Sequence, residues 1–194
     1  MVISDIFYID LYYFFFVIRR TPRSTQSNSS AASDVYTRQV MDHCQDYSLV
    51  GAGVMHEGYW SNTLGLPAWP SAGEEMIVAR NILLAEKTGT HVHCQHMTAA
   101  GSVRLIREAK SRGVPISGEA CPHHFTLTDS AIAGSDKFWP EDGKGVFWVG
   151  DGGKPAWPEY DTNFKMNPPL RSAADREAVI EGIAAGTLEI ISSD

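Results

Sequence analysis

Outside Arg19, Arg20 and Arg23 the chain has no clustered lysine or arginine, and 16 basic residues face 23 acidic ones for a net charge of −7. That balance excludes a nucleic-acid-binding surface, which needs a basic stripe to neutralise phosphates, and suits a small or metal-bound substrate. Cysteine is scarce as well. Cys44, Cys94 and Cys121 are odd in number and lie beside or near histidines rather than in a staple pattern, so a reducing, cytoplasmic compartment without disulfides is expected. No long apolar run is free of charge: Met1–Ile18 is rich in Phe and Tyr, but Asp5 and Asp10 interrupt it. Each carboxylate would cost about 2.5–3.5 kcal/mol near a bilayer centre, which argues against a membrane anchor. The lack of a basic start argues against a secretory signal. A compact metal motif such as H-E-x-x-H is also missing, so any metal site must be assembled from distant residues.

What is present is ordinary globular composition, 43% apolar and 20% charged over 194 residues, enough for one domain with a sizeable core. Residues 1–33 do not match the rest. They read as an unusual N-terminal extension ending in a Ser/Thr/Asn-rich linker over Thr21–Ser33, with the folded domain over 34–194.

The domain is organised around Gly89–Thr98, which carries three of the seven histidines. Its alternation predicts a strand with His91 and His93 on one face and His96 at the C-terminal end, where α/β enzymes keep their chemistry. Before it, Val40–Asp46 is a short apolar push that places His43 at another strand end, and Leu49–Pro70 reads as a patterned Gly- and Trp-bearing loop forming a lid or site wall. Ser71 with Glu74 spells a capping box for a helix whose apolar face is Met76, Ile77, Leu83 and Leu84, closed by Gly89. Thr98 is expected to cap the next helix, with Val103, Ile106 and Ala109 inward and Gly113 at its end. A strand over Val114–Glu119 follows, then a Gly/Pro/Trp-rich insertion over Phe138–Tyr160. Pro168 and Pro169 keep the segment after it from being helical. Ser172 and Asp175 cap a last helix ended by Gly186, before a strand over Leu188–Ser192. This rhythm implies parallel strands with helical crossovers. His43, His96 and Asp194 each close a different strand, and convergence of such groups at one rim is how a barrel binds a catalytic metal while leaving a position for water.

His43-Cys44-Gln45-Asp46, Met55-His56-Glu57-Gly58, Gln95-His96-Met97-Thr98, Glu119-Ala120-Cys121-Pro122-His123-His124, Lys165-Met166-Asn167-Pro168-Pro169-Leu170-Arg171 and Ser192-Ser193-Asp194 occur in that order. Together they resemble dihydroorotase of the amidohydrolase superfamily, whose relatives include the dihydropyrimidinases, hydantoinases and allantoinases. The resemblance implies an α/β fold, a partial TIM (β/α)8 barrel of the metal-dependent hydrolase type and roughly its second half. It implies a binuclear zinc centre that interconverts dihydroorotate and N-carbamoyl-aspartate in pyrimidine biosynthesis. His43 and His96 are then ligands of the second metal, Asp194 a ligand of the first and the proton shuttle, and Asn167 the contact to the substrate ring. His91 with His93, His123 with His124, and His56 read instead as structural or supporting residues, and Cys44 and Cys94 as packing residues. Asn167 has an alternative role, capping the turn before Pro168-Pro169. The family's first-strand His-x-His, its arginine, the bridging carboxylate and the terminal His-Ala-Pro-His have no counterpart in the sequence. The expectation is therefore an incomplete barrel holding at most a partial zinc site, inactive alone, with exposed strand edges that favour aggregation or homo-oligomers. The alternative is a catalytically dead homologue serving as a structural partner.

Overall fold

The computed structural model describes residues 40–143, 146 and 153–193. The 1–33 extension, the approach to the first strand and Asp194 lie outside them.

Four short strands form one sheet in the order β1 (Val40–Asp42), β4 (Val92–Cys94), β5 (Ile116–Ala120), β6 (Ile190–Ile191). Every neighbouring pair is parallel. Long helices make the crossovers: α3 (Ala72–Thr88) before β4, α4 (Ala100–Ser111) before β5 and α7 (Ala173–Ala184) before β6. The architecture is thus α/β with a parallel sheet, as the alternation predicted. The helices bury Val78, Ile82, Ala85, Val103, Ile106, Ala109 and Val179 against Val92, Cys94, Ile116, Ala120 and Leu188. Packing is close enough to dictate glycine on β5, since a Cβ at Gly118 would lie 2.8 Å from Leu188 Cδ2 and 3.1 Å from Ile106 Cδ1. β1 and β6 are the outer strands, and Val40, Met41, Ile190 and Ile191 are exposed on them. Among the described residues no helix is long and apolar enough to cross a membrane.

Several local expectations hold. Val103, Ile106 and Ala109 are the buried stripe of α4; Ser172 caps α7 by accepting from the Asp175 N–H; and Gly89 ends α3 in the left-handed region at φ 70°. Others are corrected. The Leu49–Pro70 segment is not a bare loop but holds α1 (Tyr47–Val50), α2 (Tyr59–Leu64) and a two-stranded parallel ladder of β2 (Met55–His56) with β3 (Ala68–Trp69). On α3 the buried face differs from the expected one: Met76, Leu83 and Leu84 are exposed, and the buried side belongs to Val78, Asn81, Ile82 and Ala85.

The Ser71–Glu74 capping box does not form, because Glu74 has a stronger use. It is buried, and its carboxylate accepts from the N–H groups of Thr98 (3.1 Å) and Ala99 (3.0 Å) and from the Thr98 hydroxyl (2.5 Å). For the same reason Thr98 does not cap α4; the cap position is Ala99, and Asp175 of α7 accepts from the Ala100 N–H at 2.9 Å. Two carboxylates from other helices thus serve the N-terminus of α4, where its free N–H groups and dipole favour negative charge.

Candidate functional site

His43 directly follows β1, and His96 lies two residues beyond β4. In the register of these parallel strands Asp42 sits beside Cys94, so both histidines emerge at the same C-terminal end of the sheet. His43 Nδ1 and His96 Nε2 are 2.9 Å apart, with the rings nearly perpendicular at 72°. On the other side of the His43 ring, Nε2 meets Gln45 Oε1 at 2.6 Å. An amide oxygen only accepts, so Nε2 carries a proton and Nδ1 is placed to accept from His96 Nε2. Supporting one imidazole nitrogen from an oxygen while the other faces a partner is the arrangement of metal-bound histidines.

His96 has φ 39°, unusual for a residue with a Cβ. The neighbouring strand holds it there: Glu119 Oε1 accepts from the His96 N–H at 3.3 Å, and the Glu119 carbonyl accepts from the Met97 N–H at 2.8 Å. Gln95 N–H bonds back to the Asp42 carbonyl on the opposite side. The turn that aims His96 is therefore tied to both flanking strands.

His93, on β4 itself, is 1% exposed and makes bonds from both nitrogens, Nδ1 with Ser117 Oγ at 2.8 Å and Nε2 with Glu119 Oε2 at 3.1 Å. Burial pushes the Glu119 carboxyl up, but hydrogen bonds from His93 and Ser192 more than offset it and leave the carboxyl below its usual range. Cys44 shares a hydrogen bond with Cys94 that, with burial, pushes its thiol far above the ordinary range. A thiol so held is inert, in line with a packing role.

His123 and His124 open the short helix α5 (Pro122–Thr126) after β5. Their rings pack edge-on, with centroids 4.1 Å apart. His124 is buried and its Nε2 reaches the Pro168 carbonyl at 3.0 Å. Asn167, on the other side of that proline, is exposed. His124 thereby links the end of β5 to the segment that carries Asn167.

Sequence reasoning gave no role to the buried network beneath these loops. The Arg171 guanidinium donates Nε to Thr98 Oγ1 (3.0 Å) and an Nη to the Trp69 carbonyl (3.0 Å), and lies 3.8 Å from the Glu74 carboxylate. His56 sits between Arg171, at 3.4 Å, and Asp175, at 3.9 Å, a loop contact of the structural kind. Burial, followed by the Arg171 charge, lowers the affinity of His56 for a proton. One cluster therefore joins β3, α3, the turn after His96 and the segment after Asn167. In the sequence Glu74 reads only as the partner of Ser71 and Arg171 as the end of the Pro168-Pro169 segment, with nothing local to show that they would meet.

Comparison with known proteins gives a consistent result. Residues 19–102 match a family model described as dihydro-orotase-like. The dihydroorotase of Pelotomaculum thermopropionicum is 50% identical over 155 residues, covering 80% of this chain and 30% of that protein. The dihydroorotase of Acetivibrio thermocellus is 42% identical over 162 residues, 84% of this chain and 32% of its own length. The chain thus spans about 30% of the length of these relatives. Among solved structures, the D-hydantoinase (dihydropyrimidinase) of Thermus sp. superposes with a TM-score of 0.57 at 22% identity, over 80% of this chain and 30% of that one. The dihydropyrimidinase of Brevibacillus agri gives 0.56 at 21%. At such identity the likeness speaks to fold alone: the four-stranded parallel sheet and its helices are similar to part of those structures.

Proposed function

On the premise that this chain is homologous to the dihydroorotases over most of its length, we propose that it supplies one side of a metal-dependent active site hydrolysing the cyclic amide of dihydroorotate to N-carbamoyl-aspartate. The observation that carries the reading is the approach of His43 Nδ1 to His96 Nε2 at 2.9 Å, from adjacent strands and 53 residues apart in sequence. Two nitrogens bound to one ion at about 2.0–2.1 Å lie roughly 3 Å from each other, so the pair fits a divalent cation such as zinc.

His43 and His96 would hold the ion, with Gln45 keeping His43 in the tautomer that binds and Glu119 fixing the turn that aims His96. When bound, such an ion lowers the pKa of a coordinated water and polarises the amide carbonyl. Asp194, three residues past β6, is assigned the carboxylate that takes the proton from the attacking water and returns it to the leaving ring nitrogen. Asn167 is assigned the contact to the substrate ring, and its exposed place beside the His124-bound Pro168 leaves its amide open to a ligand.

The test is a chimera. The matching stretch of this chain replaces its counterpart in the Pelotomaculum dihydroorotase, and dihydroorotate hydrolysis is followed. The chimera should turn over substrate, and His43→Ala, His96→Ala or Asp194→Asn should lower the rate by roughly 10³-fold or more. A folded chimera without activity, or variants that leave the rate unchanged, would overturn the proposal.

A further inference from the structure

A second group of donor atoms lies at the end of β5. Cys121, His123 and His124 each offer one ligand atom, and the three atoms all lie within 4.8 Å of one another. Bound to one zinc, sulfur and nitrogen would be about 3.5 Å apart, so rotation of the side chains by roughly an ångström closes the set.

The independent observation is His124. It is 4% exposed and packs edge-on against His123 with ring centroids 4.1 Å apart, and a neutral imidazole is the form that takes a metal. Its Nε2 faces the Pro168 carbonyl, which only accepts, and so Nε2 carries the single ring proton. Nδ1 is left as a lone pair, buried and without a hydrogen-bond partner. A buried acceptor with nothing to accept is a cost the fold would not carry without use. Binding histidines characteristically give their second N–H to a carbonyl, which is what Pro168 provides.

From this geometry we infer that Cys121, His123 and His124 form a thiolate–imidazole site for a soft divalent cation of the zinc class, separate from the His43–His96 pair. On binding, the Cys121 thiol loses its proton to solvent as the sulfur–metal bond forms, the two imidazoles donate lone pairs, and no redox change occurs. The His124 link to Pro168 makes occupancy of this site a means of fixing the segment that carries Asn167.

Cobalt(II) added to the 194-residue chain gives the test, because only a thiolate ligand produces a sulfur-to-cobalt charge-transfer band in the near ultraviolet. The band should appear in the unmodified chain, persist in Cys44→Ser, Cys94→Ser and the double variant His43→Ala/His96→Ala, and vanish in Cys121→Ser. His123→Gln, at a half-buried position, should weaken it while the far-ultraviolet dichroism stays unchanged. Zinc should also slow alkylation of the buried Cys121 in mild denaturant, where the metal-free thiol becomes reachable, read by peptide mass in the unmodified chain. Absence of both the band and the protection would overturn the inference and assign His124 Nδ1 to a buried water. A band that disappears with His43 and His96 would overturn the separateness of the site. Neither readout depends on hydrolysis, so failure here is distinguishable from failure of the chimera.

Discussion

His93 and His96 are three residues apart around the end of one strand, yet their surroundings differ in kind. His93 has both nitrogens engaged by β5, with Ser117 on one side and Glu119 on the other, and is sealed from solvent. His96 meets another imidazole instead, its Nε2 2.9 Å from His43 Nδ1. A ring whose two nitrogens are both engaged by the neighbouring strand has no valence left for a ligand, whereas a proton shared between two imidazoles can be displaced by an ion. Proximity to a strand end therefore does not decide function, and the identity of the partner atoms does.

The largest expected effect separates the two. His93→Ala removes one member of a buried, charge-assisted pair and leaves Glu119 short of a donor, which should cost about 3–5 kcal/mol in denaturant unfolding. It should leave zinc affinity of the nitrogen site nearly unchanged if the variant folds. His96→Ala should do the reverse, lowering that affinity by more than the roughly 10–100-fold typical of an outer partner while changing stability little. Equal effects of the two variants on zinc would show that His93 is a ligand.

The Glu74–Arg171 pair extends the sealed class to a full ion pair, both side chains about 2% exposed. Arg171→Met strands the Glu74 carboxylate among donors arranged for an anion but without its cation, and should destabilise by about 3 kcal/mol. Glu74→Gln combined with Arg171→Met should cost less than the sum of the single changes, since neither then leaves a buried charge. Strict additivity in equilibrium unfolding would show that the two do not interact.

These contrasts mark what was legible in the sequence. Element order, the parallel sheet and the strand-end positions of His43 and His96 follow from periodicity and punctuation, which are local. So does the Ser172 cap, where Asp175 lies within one helical turn. Glu74 shows the limit: the same local pattern was present at Ser71, but donors 24 and 25 residues away took the carboxylate. Met76, Leu83 and Leu84 failed for a related reason. Mixed apolar residues on α3 define more than one plausible stripe, and the sheet selected the one containing Val78 and Ile82. Gln45 was visible as a residue but not as a tautomer lock, since its role exists only once His96 is opposite.

Buried carboxyls offer a smaller contrast. Glu119 is held below its usual range by hydrogen-bond donors, whereas burial, reinforced by Asp142, raises Asp129 to about 7. A folded-state value above the unfolded one means that the native state binds the extra proton. The associated stability is complete below about pH 4 and is lost as pH rises through about 7. Between pH 5 and 8 the contribution should fall by roughly 2–3 kcal/mol, and Asp129→Asn should flatten that part of the profile. A thermal midpoint with the same pH slope in the variant would assign the dependence to another group.

The mildest change tests the tautomer itself. Gln45 is half-buried and its oxygen meets only the outer nitrogen of His43, so Gln45→Leu removes no ligand and little packing. Without the acceptor, the His43 proton moves freely between nitrogens, and the form with Nδ1 protonated cannot bind an ion there. Zinc affinity should fall roughly tenfold, the lower end for loss of an outer partner, with unfolding free energy nearly unchanged. The measurement is a chelator competition in a Cys121→Ser background, which confines zinc to the nitrogen pair. Gln45→Glu supplies the complementary case, because a carboxylate accepts the same proton and raises the basicity of Nδ1, and its affinity should equal or exceed that of the unmodified site. If leucine and glutamate at this position bind zinc equally well, His43 does not depend on its neighbour for orientation, and the difference between the open and the sealed histidines reduces to exposure alone.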